Sequence, residues 1–288
     1  MPPKTILLAL SLVLGATGAT AQTATTEPLQ MQHIRNATTK VTYAGRTFLV
    51  DPMLAAKNAY SGFEGTFHSE RQNPMVDLPM QAEKVMEGVD AVIVTHTHLD
   101  HWDGGEHQFI RKDVPLFVQH EADATLIRGQ GYTDVRVLGE GTTFEGVTLT
   151  KTGGQHGTDE MYAAPPVAET LAKAMGVVFQ AADAPTVYFV GDTIWRPEVN
   201  AALDSFAPDV VVLNTGEARL PGFTGSIIMS KDDVLHATQA VPDATVVTVH
   251  MDAINHMNLS REQLRDFVEQ NGIEDKVRIP ADGEVVKF

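Results

Sequence analysis

Four apolar runs in this chain each stop at a residue that binds metals. Val89-Asp90-Ala91-Val92-Ile93-Val94 runs into Thr95-His96-Thr97-His98-Leu99-Asp100-His101, and Val147-Thr148-Leu149-Thr150 leads to Gly153-Gly154-Gln155-His156. Thr186-Val187-Tyr188-Phe189-Val190 is followed by Gly191-Asp192, and Thr245-Val246-Val247-Thr248-Val249 by His250. Short β-branched runs of this kind read as strands buried on both faces, so each histidine or aspartate falls in a strand-end loop. Chance would scatter histidines over helices and surfaces as well. The repeated order of strand, then ligand, requires a fold in which distant strand ends meet in one cavity.

The first loop packs three imidazoles and a carboxylate into six residues. A strand followed by a turn fans His96 and His98 toward one point, while Asp100 and His101 arrive from the next turn at a neighbouring point. Two metals about 3.5–4 Å apart fit such an arrangement. Imidazole and carboxylate suit zinc, manganese or iron, and the absence of cysteine removes any bias toward softer metals. Zinc is the expected ion, with Mn2+ or Fe2+ as alternatives. His256, six residues after His250, competes with it for the last ligand position; His250 is preferred because it directly ends the apolar run.

The H-x-H-x-D-H pattern, here His96, His98, Asp100 and His101, resembles the signature of the metallo-β-lactamase fold superfamily of metal-dependent hydrolases. The resemblance covers nearly all of the chain after residue 21. It implies that His96, His98 and His156 bind a first metal, that Asp100, His101 and His250 bind a second, and that Asp192 bridges both. It also implies an α+β fold, a four-layer αββα sandwich. Leu49-Val50-Asp51-Pro52 and Pro79 further resemble the branch that contains ascorbate-6-phosphate lactonase. Members that use cysteine in the second site are excluded, and the retained Asp192 is closer to lactonases, phosphodiesterases and thioesterases.

The expected activity is that of a dinuclear metal-dependent hydrolase. A metal-bridging hydroxide attacks an ester-like bond of a small molecule, whether lactone, phosphodiester or thioester, because coordination brings the pKa of water from 15.7 to about 7. Asp100 and Asp192 hold the metal pair and hydrogen-bond the nucleophile, and His256 is the candidate proton donor to the leaving group. Thr95, Thr193 and Asp103 lie beside ligands and are candidates to orient imidazoles. No G-x-S-x-G elbow, Walker loop, dinucleotide fingerprint or H-E-x-x-H helix competes with this chemistry. The alternatives are an iron-dependent redox metalloprotein and a non-catalytic periplasmic metal-binding protein on the same fold.

Met1 to Ala21 reads as a secretory signal, with Lys4, an apolar core from Ile6 to Leu14, and Ala19-Thr20-Ala21 as the cleavage site. That apolar core falls well short of the roughly 20 residues needed to cross a bilayer, so stable membrane insertion is not expected. A secreted, periplasmic protein follows, with residues 22–288 forming a single metallo-hydrolase domain. A formal charge of −16 with no Lys/Arg cluster makes nucleic acid a poor partner and leaves a small molecule as the expected substrate. Sequence leaves the oligomeric state open.

Strands are expected near Gln32–Ala37, Lys40–Tyr43 and Thr47–Val50. Helices are expected from Gln81, over Glu121–Gly129, over Lys231–Gln239 capped by Ser230, and from a Ser260/Gln263 capping box to Gly272. Two long irregular segments, Met53–Leu78 and Gly157–Ala168, are the expected pocket walls, with Tyr60, Phe63, Phe67, His68, Met161 and Tyr162 as candidate lining. Asn214 to Arg219 is a further candidate, with Arg219 facing a substrate anion or a structural partner. His33, His107 and His120 read as ordinary structural or surface histidines.

Overall fold

Buried β-branched runs and amphipathic helices alternate along the chain in the computed structural model, which describes Met1 and residues 28–103 and 109–288. Apart from Met1, the expected leader lies outside the described residues, as does His107. Chain order begins with β1 (Gln30–Arg35), β2 (Thr38–Tyr43), β3 (Arg46–Val50), α1 (Ala82–Met86), β4 (Ala91–Val94), β5 (Leu116–Val118), α2 (Glu121–Gly129) and β6 (Val135–Val137). Next come β7 (Thr142–Phe144), β8 (Val147–Thr152), α3 (Asp159–Tyr162), α4 (Pro165–Leu171), β9 (Gly176–Gln180), β10 (Val187–Phe189), α5 (Pro197–Phe206) and β11 (Val210–Asn214). The chain closes with α6 (Lys231–Ala240), β12 (Thr245–Val249), α7 (Arg261–Asn271), β13 (Val277–Arg278) and β14 (Val285–Lys287).

These strands form two seven-stranded sheets, ordered β14-β1-β2-β3-β4-β5-β6 and β13-β12-β11-β10-β9-β8-β7. Strand alternation explains the layering, because successive side chains point to opposite faces. Met31, Tyr43, Phe48, Ile93 and Phe117 of the first sheet meet Leu149, Val177, Phe179, Val212 and Val249 of the second in one core between the sheets. The opposite faces are covered from outside: Val92, Val94 and Leu116 pack with Val85 of α1 and Ile127 of α2. Tyr188, Val211 and Val246 pack with Val199 of α5, Val234 of α6 and Leu264 of α7. The result is the expected four-layer α+β sandwich. Phe179 sits at its centre, with its ring 5.2 Å from that of Phe48 and 5.8 Å from that of Tyr43; burying a side chain of this size is worth roughly 1.5–3 kcal/mol.

The helix expectations hold to within a residue or two, including the Ser230 cap, the Ser260 capping box and the left-handed Gly272 that ends α7. Strand β1 starts and ends two residues earlier than expected, because Asn36 takes a left-handed turn (φ 58) into β2. One expectation is corrected. Gly157–Ala168 is not irregular but carries α3 and the start of α4, since Pro165 and Pro166 stand at the first positions of α4, where a missing N–H costs nothing.

Topology positions the site. β4 runs parallel to β3 and β5, and β10, β11 and β12 run parallel to one another. Parallel strands end on the same side, and ligands of α/β sheets lie beyond such carboxyl ends. His96, Asp192, Asn214 and His250 all stand at or just past the ends of these strands.

Candidate metal centre

Asp192 is the geometric centre of the site. Its Oδ2 lies 3.2 Å from His101 Nε2, 3.5 Å from His156 Nε2, 3.6 Å from His250 Nε2 and 3.9 Å from His96 Nε2. Its other oxygen, Oδ1, accepts a hydrogen bond of 2.6 Å from Asn214 Nδ2, so Oδ2 is the atom left facing the imidazoles. Around it, His96, His98 and His156 form one group of potential ligand atoms, Asp100, His101 and His250 a second, and His96, His101 and Asp192 a third, each with atoms within 4.8 Å of one another. Every residue expected to hold metal is therefore brought together. His256 is not in these groups; it lines the adjoining cavity. His250 Nε2, by contrast, lies 2.8 Å from His101 Nε2 and 3.3 Å from Asp100 Oδ2.

The donor set fits divalent metal. Ligand atoms bound at about 2.1 Å to one tetrahedral ion stand roughly 3.4 Å apart, close to the spacing around Asp192 Oδ2. Imidazole nitrogens turned toward one another, with two carboxylates among them and no lysine or arginine in the three groups, form a site that a cation completes.

Buried hydrogen bonds hold the rings in metal-ready tautomers, as ligating histidines generally require. His101 Nδ1–H donates to Asp51 Oδ2 at 2.8 Å, which turns Nε2 toward Asp192 and His250, and a cation bound there would displace the Nε2 proton. Thr95 Oγ1 donates to the same Asp51 oxygen (2.8 Å) and so accepts from His96 Nδ1 (3.2 Å), and Thr95 N–H donates to Asp51 Oδ1 (2.7 Å). His98 Nε2–H donates to Thr170 O, next to the end of α4, at 2.9 Å, which leaves Nδ1 facing His96. Of the three candidate orienting residues, Thr95 does contact a ligand. Thr193 instead accepts from Gln155 N–H (2.8 Å), and Asp103 accepts from Ala55 N–H (2.6 Å). Asp51 has the largest orienting role and was missed as a functional residue. In the sequence it stood within Leu49-Val50-Asp51-Pro52, a motif read for resemblance alone and not for an orienting role.

Charges follow this packing. Burial drives the imidazole of His96 well below its ordinary pKa, and that of His156 down to about 3. Burial also opposes the charge on His101, but Asp192, Asp51 and Asp100 outweigh it and hold that imidazole well above its ordinary value. Asp192 and Asp100 are held down against burial, chiefly by His101.

Beside the cluster opens a cavity of about 370 Å³. His98, Asp100, His156 and Asp192 form its floor, and Phe63, Leu99, Leu171, Leu220, Ile227, Ile228 and Met257 give it apolar walls. Glu64, Thr66, Thr97, Thr170 and His256 add polar groups, and no lysine or arginine is among the described lining residues. Of the aromatic and other side chains named as candidate lining, Phe63 lines it, with Glu64 and Thr66 from the same expected segment and Ala218 from the Asn214–Arg219 stretch. Tyr60 instead donates to Leu99 O (3.3 Å), Phe67 and His68 are exposed, and Met161 and Tyr162 pack in the cluster behind the wall. Arg219 pairs with Glu217 outside the cavity, because its exposed guanidinium finds that carboxylate two residues away. The Leu220–Ile228 wall was missed; its apolar residues fall in a Gly-rich loop without periodicity.

Comparison with known proteins agrees with this geometry. Residues 46–251 match the family model described as the beta-lactamase superfamily domain. Over 260 residues the chain is 38% identical to the UPF0173 protein YddR of Bacillus subtilis, covering 90% of this chain and 100% of that relative. Other UPF0173 relatives are named metal-dependent hydrolases. Among solved structures, a possible metal-dependent hydrolase from Veillonella parvula is 50% identical with a TM-score of 0.89, covering 91% of this chain and 100% of that chain. An isothiocyanate hydrolase from Delia radicum gut bacteria is 47% identical with a TM-score of 0.87, covering 90% of this chain and 99% of that chain. The expected link to the ascorbate-6-phosphate lactonase branch finds no support in these relatives.

Proposed function

The chain belongs to the UPF0173 family of metal-dependent hydrolases, built on the beta-lactamase superfamily domain, and from that premise we propose that it is a dinuclear hydrolase of small, uncharged, apolar electrophiles, with isothiocyanates as its substrates. The placement of Asp192 Oδ2 within 3.2–3.9 Å of four imidazoles, at the floor of an apolar cavity, carries this reading. The cavity walls favour a hydrocarbon substituent, and the absence of a lysine or arginine among its described lining residues disfavours a phosphodiester. The 47% identity to an isothiocyanate hydrolase narrows the electrophile.

His96, His98 and His156 would hold one ion, Asp100, His101 and His250 the other, and Asp192 both; zinc suits this donor set. When bound there, the ions supply a water that ionises near neutral pH and a positive charge that draws electron density from the substrate. The net reaction is R–N=C=S + H2O → R–NH2 + O=C=S. The water oxygen bonds to carbon, the carbon–nitrogen bond breaks, and both water hydrogens end on nitrogen. Asp100 and Asp192 keep their lone pairs directed at the floor, where they align the attacking water. His256, its imidazole pushed down to about 4 by burial, is neutral at pH 7 and offers an N–H and a lone pair at the cavity wall. In this reading it passes a proton to the leaving nitrogen. The leader read in residues 1–21 adds export to the proposal, and a mature chain starting at Gln22 by mass spectrometry tests it.

Incubation with phenethyl isothiocyanate tests the activity. Amine and carbonyl sulfide should form in equal amounts, formation should stop with a chelator, and Zn2+ should restore it. A metal-loaded chain that leaves the isothiocyanate at its uncatalysed rate, yet opens a lactone or cleaves a thioester, would overturn the substrate reading while leaving the hydrolase.

A further inference from the structure

Residues 60–73 form a closed loop over the cavity. Its ends pair through Tyr60 N–H to Asn73 O (3.0 Å) and Asn73 N–H to Tyr60 O (2.8 Å). Its limbs approach so closely at Gly62 that a Cβ there would run into the carbonyl oxygens of Ser69 and Arg71. A loop this tight must satisfy its inward-facing polar groups from elsewhere. One side chain supplies much of that, from a segment 182 residues away. Asn255 Oδ1 accepts from Asn73 Nδ2 (2.7 Å) and Phe63 N–H (3.1 Å), and Asn255 Nδ2 donates to Thr66 Oγ1 (2.9 Å) and Phe67 O (2.8 Å). The Asn255 backbone N–H completes the exchange by donating to Asn73 Oδ1 (2.9 Å). Both asparagines are fully buried.

Of the residues so fixed, Phe63 and Thr66 line the cavity, and the Phe63 ring stands edge-on to His256 at 5.2 Å. Asn255 itself is absent from the cavity lining. We propose that Asn255 is a positioning residue: by stitching the 60–73 loop to the segment that carries His256, it holds Phe63 as the wall against which the substrate's apolar substituent packs. This rests on the proposed substrate in one respect, that the substituent occupies this cavity. The metal-holding residues stand on other strand ends, so loosening the loop weakens binding of a large substituent, whereas an effect passed through neighbouring His256 would lower kcat on both substrates alike.

Asn255→Ala, compared with the unaltered full chain, provides the test. With phenethyl isothiocyanate, KM should rise roughly tenfold while kcat stays within about threefold, and kcat/KM for methyl isothiocyanate, which lacks the substituent, should change by less than about threefold. Hydrogen exchange should accelerate across residues 60–73 but not in Thr245–Val249, and metal content should be unchanged. If the alanine variant does not fold, Asn255→Asp decides by the same measurements; it keeps the acceptor oxygen and loses the donor to Phe67 O. Unchanged exchange in residues 60–73, or an equal loss of kcat on both substrates, overturns the proposal. Should the unaltered chain be inert toward both isothiocyanates, the substrate reading fails, and exchange at residues 60–73 alone decides the role of Asn255.

Discussion

Asp51 accepts three hydrogen bonds, from Thr95 N–H, Thr95 Oγ1 and His101 Nδ1, at a position 2% exposed. Through the threonine it also steadies His96, so one carboxylate orients a ligand of each proposed ion. Asp51→Asn keeps the shape but puts an amide in place of a charged acceptor. We expect metal affinity to fall about 10–100-fold, the usual loss when such an outer partner is removed, with the fold retained. Competition with a chromogenic chelator measures this, and an unaltered affinity would refute the role. At this scale the sequence was informative about the candidate ligands, which the fold brings together, and poor about their supports. His96, His98, Asp100, His101, His156, Asp192 and His250 could be read from chemistry and from position at strand ends. Asp51 and Asn255 could not, because their importance lies in partners 44 and 182 residues distant.

Two of the ligand-bearing strands, β10 and β12, are followed by a left-handed residue at the site, Gly191 before Asp192 and His250 itself. Between β10 and Asp192, Gly191 takes φ +75, and a Cβ there would collide with the carbonyl oxygen of Met175. Gly191→Ala should therefore cost about 1–3 kcal/mol through backbone strain alone, more if Asp192 is displaced, and lower the thermal midpoint by several degrees. Calorimetry of the metal-free variant reads this directly; an unchanged midpoint would show that the turn relaxes freely. Regular elements with strong periodicity or caps were legible, as the Ser260 box and Gly272 of α7 show. Pocket walls were legible only in part: Phe63, Glu64, Thr66 and Ala218 fall in stretches expected to reach the cavity, whereas Leu220, Ile227 and Ile228 sit in a loop whose packing partners come from α3 and α4. The segment Gly157–Ala168 read as irregular, although Pro165 and Pro166 stand at the first positions of α4.

Across the whole molecule, strand β14 returns to pair with β1, and the closure is guarded by a buried polar group. His33, on β1, is 1% exposed, with Nε2 3.1 Å from Arg261 Nη2 and 3.3 Å from Asp282 Oδ1. Burial lowers the His33 pKa below the ordinary 6.5, so the folded chain binds fewer protons there than the unfolded one. Its contribution is therefore full above about pH 6.5 and is lost as pH falls toward the folded value, at up to about 1.4 kcal/mol per pH unit. His33→Gln should flatten the pH dependence of urea unfolding between pH 6.5 and 5 relative to the unaltered protein; an identical slope would contradict this. The chain carries a formal charge of −16, and no described helix is long and apolar enough to cross a membrane.

The central claim is that four strand ends build one centre for two divalent ions. Elemental analysis of the purified chain beside its His98→Ala and His236→Ala variants tests it most directly, because His98 lies in the cluster and His236 lies on α6 against Trp195. The account predicts two divalent ions per unaltered chain, two in His236→Ala, and loss of at least one in a folded His98→Ala. A folded chain that hydrolyses its substrate without metal, or a His98→Ala variant with full metal content, would contradict it.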